Sequence, residues 1–232
     1  ERLLRAAPLA TKVAYAATLV DAQRLASLQG YQLLYAELTA KRARPAFVVV
    51  GCRARKLAVL AVRGTYDVSD AMIDAQAHGE PFAGGWAHAG MAAAARWLFA
   101  ELRTPLLQLH ADGYAIHLVG HSLGGGVASL LTVLLRPTLP DVRCVGFATP
   151  AAAAGGSLLA SMRECVTSVV LRNDMVPRMT LSSVRRLFAE LGAFTEWTED
   201  ARDDWDAVVG RLKSLWAPQI REAPRRSSTR DA

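Results

Sequence analysis

The stretch "LVGHSLGGGVASLL", Leu118 to Leu131, decides how the rest of the chain is read. An apolar run leads into Gly120-His121-Ser122-Leu123-Gly124, and a second apolar run follows. This is a G-x-S-x-G pattern between a buried strand and a helix, the context of a nucleophile elbow. A serine hydroxyl is a poor nucleophile at neutral pH and needs a base to take its proton. A sharp strand-to-helix turn presents that hydroxyl at the carboxyl edge of a sheet, with the helix N-terminus beneath it to favour developing negative charge. The competing reading, a glycine-rich phosphate loop, lacks the Walker lysine and the spacing of a dinucleotide fingerprint.

Working outward, "YAIHLVG" before the elbow reads as a buried strand, and "VRCVGFATP" and "VTSVVLRND" read as further strands. "VASLLTVLLR" reads as a helix ended by Pro137. Strands alternating with helices, with continuous Val/Ile/Leu runs, point to a largely parallel α/β sheet flanked by helices. Upstream, "AFVVVGC" and "KLAVLAVRGT" read as a hairpin across the short turn "CRAR". Apolar residues at helical spacing over 11–40, including Leu33, Leu34 and Leu38, predict helices there. A long helix is expected from about Ala89 to His110, with a possible break at Thr104-Pro105. The Gly-, Ala- and His-rich stretch 66–90 has little periodicity, as does "AAAAGG" at 151–156, and both read as loops. "LSSVRRLFAELGAF" and "DDWDAVVGRLKSLW" read as amphipathic helices. The expected organisation is one domain over 1–220 and a basic, disordered tail over 221–232.

Composition narrows the function classes. With 52% hydrophobic and 21% charged residues, the 232-residue chain has the balance of a globular domain rather than of a disordered one. No apolar run reaches the roughly 18 residues of a membrane span, so a soluble or membrane-peripheral protein is expected. The net charge of +6 is compatible with anionic lipid headgroups and equally with solvated loops. No basic helix, zinc knuckle or aromatic-basic motif indicates a nucleic-acid partner. Cys52, Cys144 and Cys165 have no metal-ligand spacing, and their odd, sparse count argues for buried thiols and leans towards an intracellular setting.

Two further residues fit the elbow. Thr65 ends the strand "KLAVLAVRGT", where its amide and hydroxyl could face the nucleophile; a plain turn is the alternative. The backbone N–H of Leu123 is the expected second donor to an oxyanion. Asp174 follows an apolar strand at the sheet's carboxyl edge, where a residue orienting an imidazole belongs; a turn aspartate before Pro177 is the alternative.

Together, "AVRGTYDVSD", "WAHAGM", "HLVGHSLGGGVASLL", "CVGFATP" and "SVVLRNDMVPRMTL" resemble the class 3 lipase family in its diacylglycerol lipase-like branch, in the right order over roughly residues 45–185. The resemblance implies an α/β-hydrolase fold whose C-terminal part is incomplete here. It implies Ser122 as nucleophile, Asp174 as acid, Thr65 and Leu123 as the oxyanion hole, and a lid within 66–90. It further implies an acylglycerol substrate at a membrane or lipid-droplet surface, and chemistry that requires neither cofactor nor metal. Asp70 and Asp74 match acidic positions of the family, Asp67 stands where a hydroxyl residue is more usual, and His88 falls in a segment read as lid support.

One position departs from the family. The base should follow the acid in chain order, yet His78, His88, His110, His117 and His121 all precede Asp174 and residues 175–232 contain none. His121 adjoins the serine with its ring expected to point away, His117 and His110 are expected to be structural, and only His78 and His88 lie on a loop that could approach Ser122. Two readings stay open: a piece of an active lipase whose histidine follows a long insertion, or a degenerate lipase kept as a structural or lipid-binding subunit of a larger complex.

Overall fold

The computed structural model describes residues 2–64, 79–193 and 199–216. Two compact units divide the chain, Glu1–Leu187 and Phe188–Ala232.

The first unit is built on β2 (Phe47–Cys52), β3 (Leu57–Val62), β6 (Ala115–His121), β7 (Arg143–Phe147) and β9 (Val166–Val169). With β1 (Gln32–Glu37) at one edge, they form a six-stranded sheet in the order β1-β2-β3-β6-β7-β9. β2 and β3 are an antiparallel hairpin, and β3, β6, β7 and β9 run parallel. Alternation along each strand divides the core into two layers. Phe47, Val49, Leu60, Val62 and Leu118 pack beneath α3 (Ala89–Ala111), α4 (Leu123–Leu135) and α5 (Gly156–Cys165). Val48, Val50, Val59, Ala61, Val119 and Val145 pack on the other face with α1 (Arg2–Thr11) and part of α2 (Leu19–Leu28). Coverage on both faces explains the unbroken apolar runs of β2, β3, β6 and β7, whereas β9 is an edge strand with Thr167 and Ser168 exposed. All three cysteines are buried and none forms a disulfide.

Three local readings change. Leu33 and Leu34 lie in β1 rather than in a helix. Gly30 (φ +76°) ends α2, with Tyr31 N–H bonded to Ala26 O and Gly30 N–H to Ser27 O, a Schellman stop after which an exposed edge strand begins. The two stretches read as loops also carry strands: β4 (Gly79–Phe82) and β5 (Gly85–His88) form a hairpin across Ala83 and Gly84, both at positive φ, and β5 pairs with β8 (Ala153–Ala154) within "AAAAGG". α3 runs unbroken through Pro105. That proline sits on the exposed face, where the Glu101 carbonyl it leaves without a donor can be hydrated. Thr65, Asp67, Asp70, Asp74, His78 and the tail 221–232 lie outside the described residues.

The second unit carries α7 (Glu199–Trp216) and the end of α6 (Leu181–Ala193), at the expected positions. No helix among the described residues is long and apolar enough to cross a membrane.

Candidate active site

Ser122 occupies the single residue between β6 and α4, at φ +53° and ψ −129°. For a residue with a Cβ this conformation is strained, at a cost of about 1–3 kcal/mol, and it persists only where the surroundings over-determine it. They do so here. Ser122 N–H donates to Phe147 O at 2.9 Å, and Ser122 O accepts from Gly125 N at 2.9 Å and Gly126 N at 3.3 Å. The flanking glycines follow from the same crowding. A Cβ on Gly120 would lie 2.3 Å from Gly124 O, and one on Gly124 would lie 2.3 Å from Val62 O. Strand, elbow and the end of β3 are therefore in backbone contact that no side chain could share. Ser122 Oγ makes no capping bond to α4.

Leu123 is the first residue of α4, so its N–H has no acceptor within the helix and lies beside the serine. Across the elbow stands Gly64, at the end of β3 and next to Thr65. The Gly64 N–H donates to Tyr15 Oη at 3.1 Å, and the same hydroxyl lies 3.2 Å from His121 Nδ1. Tyr15, in the short turn Val13–Tyr15 after α1, thus ties Gly64, next to Thr65, to the residue before Ser122. Sequence reading missed it: a lone tyrosine among alanines and valines, far upstream of the elbow, carries no local signal.

Asp174 is half-buried in the turn after β9. Its Oδ1 accepts from Val176 N–H at 3.0 Å and its own N–H donates to Leu171 O at 3.0 Å. The Arg178 guanidinium donates to the carbonyls of Asp174 and Arg172, fixing the backbone on both sides of Asn173. Asp174 acts electrostatically on His121. Burial holds the His121 imidazolium below the ordinary histidine range, and the Asp174 carboxylate offsets part of that effect. His121 aligns with Phe147 and Phe147 with Val169, so the elbow after β6 and the aspartate turn after β9 lie at one end of one sheet.

The described histidines have other posts. His121 meets Tyr15 through Nδ1, and the two rings sit edge to face with centroids 6.2 Å apart. His88 caps α3, its Nδ1 accepting from Met91 N–H at 3.4 Å. His110 is exposed in the last turn of α3, and His117 lies on the α1 side of β6. The His88–Met91 corner also reaches the elbow helix, since a Cβ on Gly126 would fall 2.4 Å from Met91 Sδ.

The family model described as "Lipase (class 3)" matches residues 59–184, from β3 past the Asp174 turn. The chain belongs to the class 3 lipase family. Its likeness is to the diacylglycerol lipase-like branch. It is 29% identical over 183 residues to diacylglycerol lipase-alpha of Homo sapiens, a match spanning 72% of this chain and 17% of that protein. It is 34% identical over 151 residues to diacylglycerol lipase-beta of Mus musculus, spanning 61% of this chain and 23% of that one. The matched part of this class 3 lipase chain is thus less than a quarter of the length of either relative. Among solved structures, the lipase from Rhizopus microsporus var. chinensis superposes with a TM-score of 0.67 at 18% identity, covering 79% of this chain and 69% of that one. That likeness, with the mostly parallel sheet flanked by helices, establishes the α/β-hydrolase fold.

Proposed function

We propose that this class 3 lipase domain cleaves an acylglycerol ester, of diacylglycerol type, at a membrane or lipid-droplet surface through an acyl-Ser122 intermediate. The observation that carries the reading is the strained Ser122 held between β6 and α4 by three backbone hydrogen bonds. An elbow of that form is costly to keep and presents one hydroxyl. In the proposed reaction Ser122 Oγ attacks the ester carbonyl as a base takes its proton. The N–H of Leu123, with Thr65, receives the negative charge on the former carbonyl oxygen. Collapse expels the glycerol oxygen, which takes up the proton from the base. Water, deprotonated by the same base, then attacks the acyl-serine and releases the fatty acid. Asp174 would orient and stabilise the protonated base.

The base itself is the point on which a second reading turns. No histidine follows Asp174 in this sequence, and His121 and His88 are engaged by Tyr15 and by the α3 N-terminus. In the chain order of such triads the base follows the acid, so the first reading takes its imidazole from a segment after Asp174 that these 232 residues do not include. Without one, the chain is a lipase fold serving as a structural or lipid-binding subunit of a larger complex. A fluorophosphonate probe decides between them. The active reading expects rapid labelling of the full-length protein, abolished in Ser122→Ala; a full-length protein that resists the probe is the degenerate subunit.

A further inference from the structure

A cavity of about 380 Å³ lies between α1 and the face of β3, β6 and β7 that α1 covers. His117 is aligned with Val59 on one side and Arg143 on the other, so the cavity crosses the sheet at that level. Ser122 is five residues further along the same strand, about 16 Å away at the usual rise per residue. Val119, also in the lining, is three residues before Ser122, so the cavity extends along the sheet towards the elbow without including it.

The lining is chemically divided. Leu9, Val59, Val119 and Val145 give it an aliphatic floor, each 3% exposed or less. Arg5, Arg55 and Arg143 stand around it with His117 and Tyr31, and among the described residues no aspartate or glutamate lines it. Arg55 stacks on the Tyr31 ring at 4.6 Å, which holds its guanidinium at the rim. Arg143 Nη1 donates to Pro140 O and Val142 O at 3.4 and 3.1 Å, leaving the other donors of its planar fork for a further acceptor. Burial pushes the Tyr31 phenol up, keeping it protonated and able to donate. The volume falls within the roughly 300–1,000 Å³ of small-molecule sites.

We propose that this cavity binds an amphiphilic carboxylate, a fatty acid, with its headgroup among Arg55, Arg143 and Tyr31 and its tail over the aliphatic floor. A bare inorganic anion would leave the floor uncovered, and a neutral alkyl chain would leave the arginine fork unmatched. Guanidinium pairs with carboxylate bidentately, and the alkyl chain supplies the apolar area. The site is independent of whether Ser122 turns over.

Calorimetric titration of monomeric decanoate into the Ser122→Ala chain tests the proposal, with decanol as the uncharged comparison. The expected result is saturable one-site binding of decanoate, with decanol weaker by about tenfold or more, the size of one lost charge-assisted contact. Arg55→Gln with Arg143→Gln should weaken decanoate by a similar factor, and the corresponding lysine pair, which keeps both charges but loses the planar fork, should bind with an affinity between the native chain and the glutamine pair. Equal affinity for decanol, undiminished binding in the glutamine pair, or no saturable decanoate binding overturns the proposal. Should the glutamine pair not fold, the decanol comparison and the lysine pair decide. Vesicles of phosphatidylcholine with and without phosphatidylglycerol separate the sources: binding confined to the anionic vesicles, with none to decanoate, assigns the arginines to a membrane surface and sinks the fatty-acid site.

Discussion

Tyr15 Oη lies 3.2 Å from His121 Nδ1 while accepting the Gly64 N–H at 3.1 Å. One hydroxyl thus joins the first segment of the chain, the end of β3 and the residue preceding the proposed nucleophile. Gly64 is buried, so loss of the hydroxyl strands a backbone donor. Tyr15→Phe should lower stability by about 1–2 kcal/mol, the usual cost of an unsatisfied buried group, seen as a lower denaturation midpoint at unchanged slope. If the Gly64 anchor also sets the oxyanion loop, fluorophosphonate labelling of the full-length protein should slow in the same variant. Labelling at the native rate would confine Tyr15 to a structural part.

The same imidazole gives a pH dependence with a definite sign. Burial depresses the folded-state pKa of His121 below its unfolded value near 6.5. Between the two values the unfolded chain binds more protons, so stability rises with pH. The contribution is complete above about pH 6.5 and is lost as pH falls through the folded pKa. Thermal midpoints measured from pH 7.5 down to pH 5 should fall less steeply in His121→Gln than in the native chain. Parallel curves would show that His121 does not account for the acid limb.

These two residues also show what was legible in the sequence. The elbow could be read because its parts are adjacent: an apolar strand, two glycines that clear neighbouring backbone, and an apolar helix. β2, β3, β6 and β7 could be read because burial on both faces writes itself as unbroken aliphatic runs. β1 could not, because an exposed edge strand has leucines at spacings that also suit a helix, and only the Gly30 stop separates them. The β4–β5 hairpin escaped for a related reason: its strands contain Gly, Pro and His, and the partner that completes the small sheet, Ala153–Ala154, is remote in sequence. Tyr15 escaped because its partners are assembled only by the fold.

Two glycine substitutions separate crowding from propensity. In Gly124→Ala the added carbon would meet Val62 O at 2.3 Å, a backbone atom that moves only if β3 moves. The expected loss is about 1–3 kcal/mol, the range for overpacking a close contact, together with slower probe labelling of Ser122 in the full-length protein. Gly192, in the second unit, has nothing within 4 Å of the same added carbon and lies in α6. Gly192→Ala should be neutral or stabilise that helix by up to about 0.5–1 kcal/mol. Circular dichroism melts of both variants check the pair; equal effects would mean that the contact at Gly124 is not the origin of the cost.

Asp174 offers a substitution in which fold and charge can be parted. Its Oδ1 accepts from Val176 N–H, and an asparagine retains that acceptor, so Asp174→Asn should keep the turn and the melting temperature. The charge is lost, however, and with it the attraction that partly offsets the burial of His121. The His121 titration midpoint, followed by NMR of the ring protons, should therefore move further down in Asp174→Asn. In the full-length protein, if Asp174 is the acid of the proposed triad, turnover should fall by on the order of 10³–10⁴, as in triads whose orienting carboxylate becomes an amide. Asp174→Ala removes acceptor and charge together and should lower both stability and activity. An Asp174→Asn protein with an unmoved His121 midpoint would show that the carboxylate does not act on this ring. One with native turnover would remove Asp174 from the mechanism and leave it as the residue that caps the turn after β9.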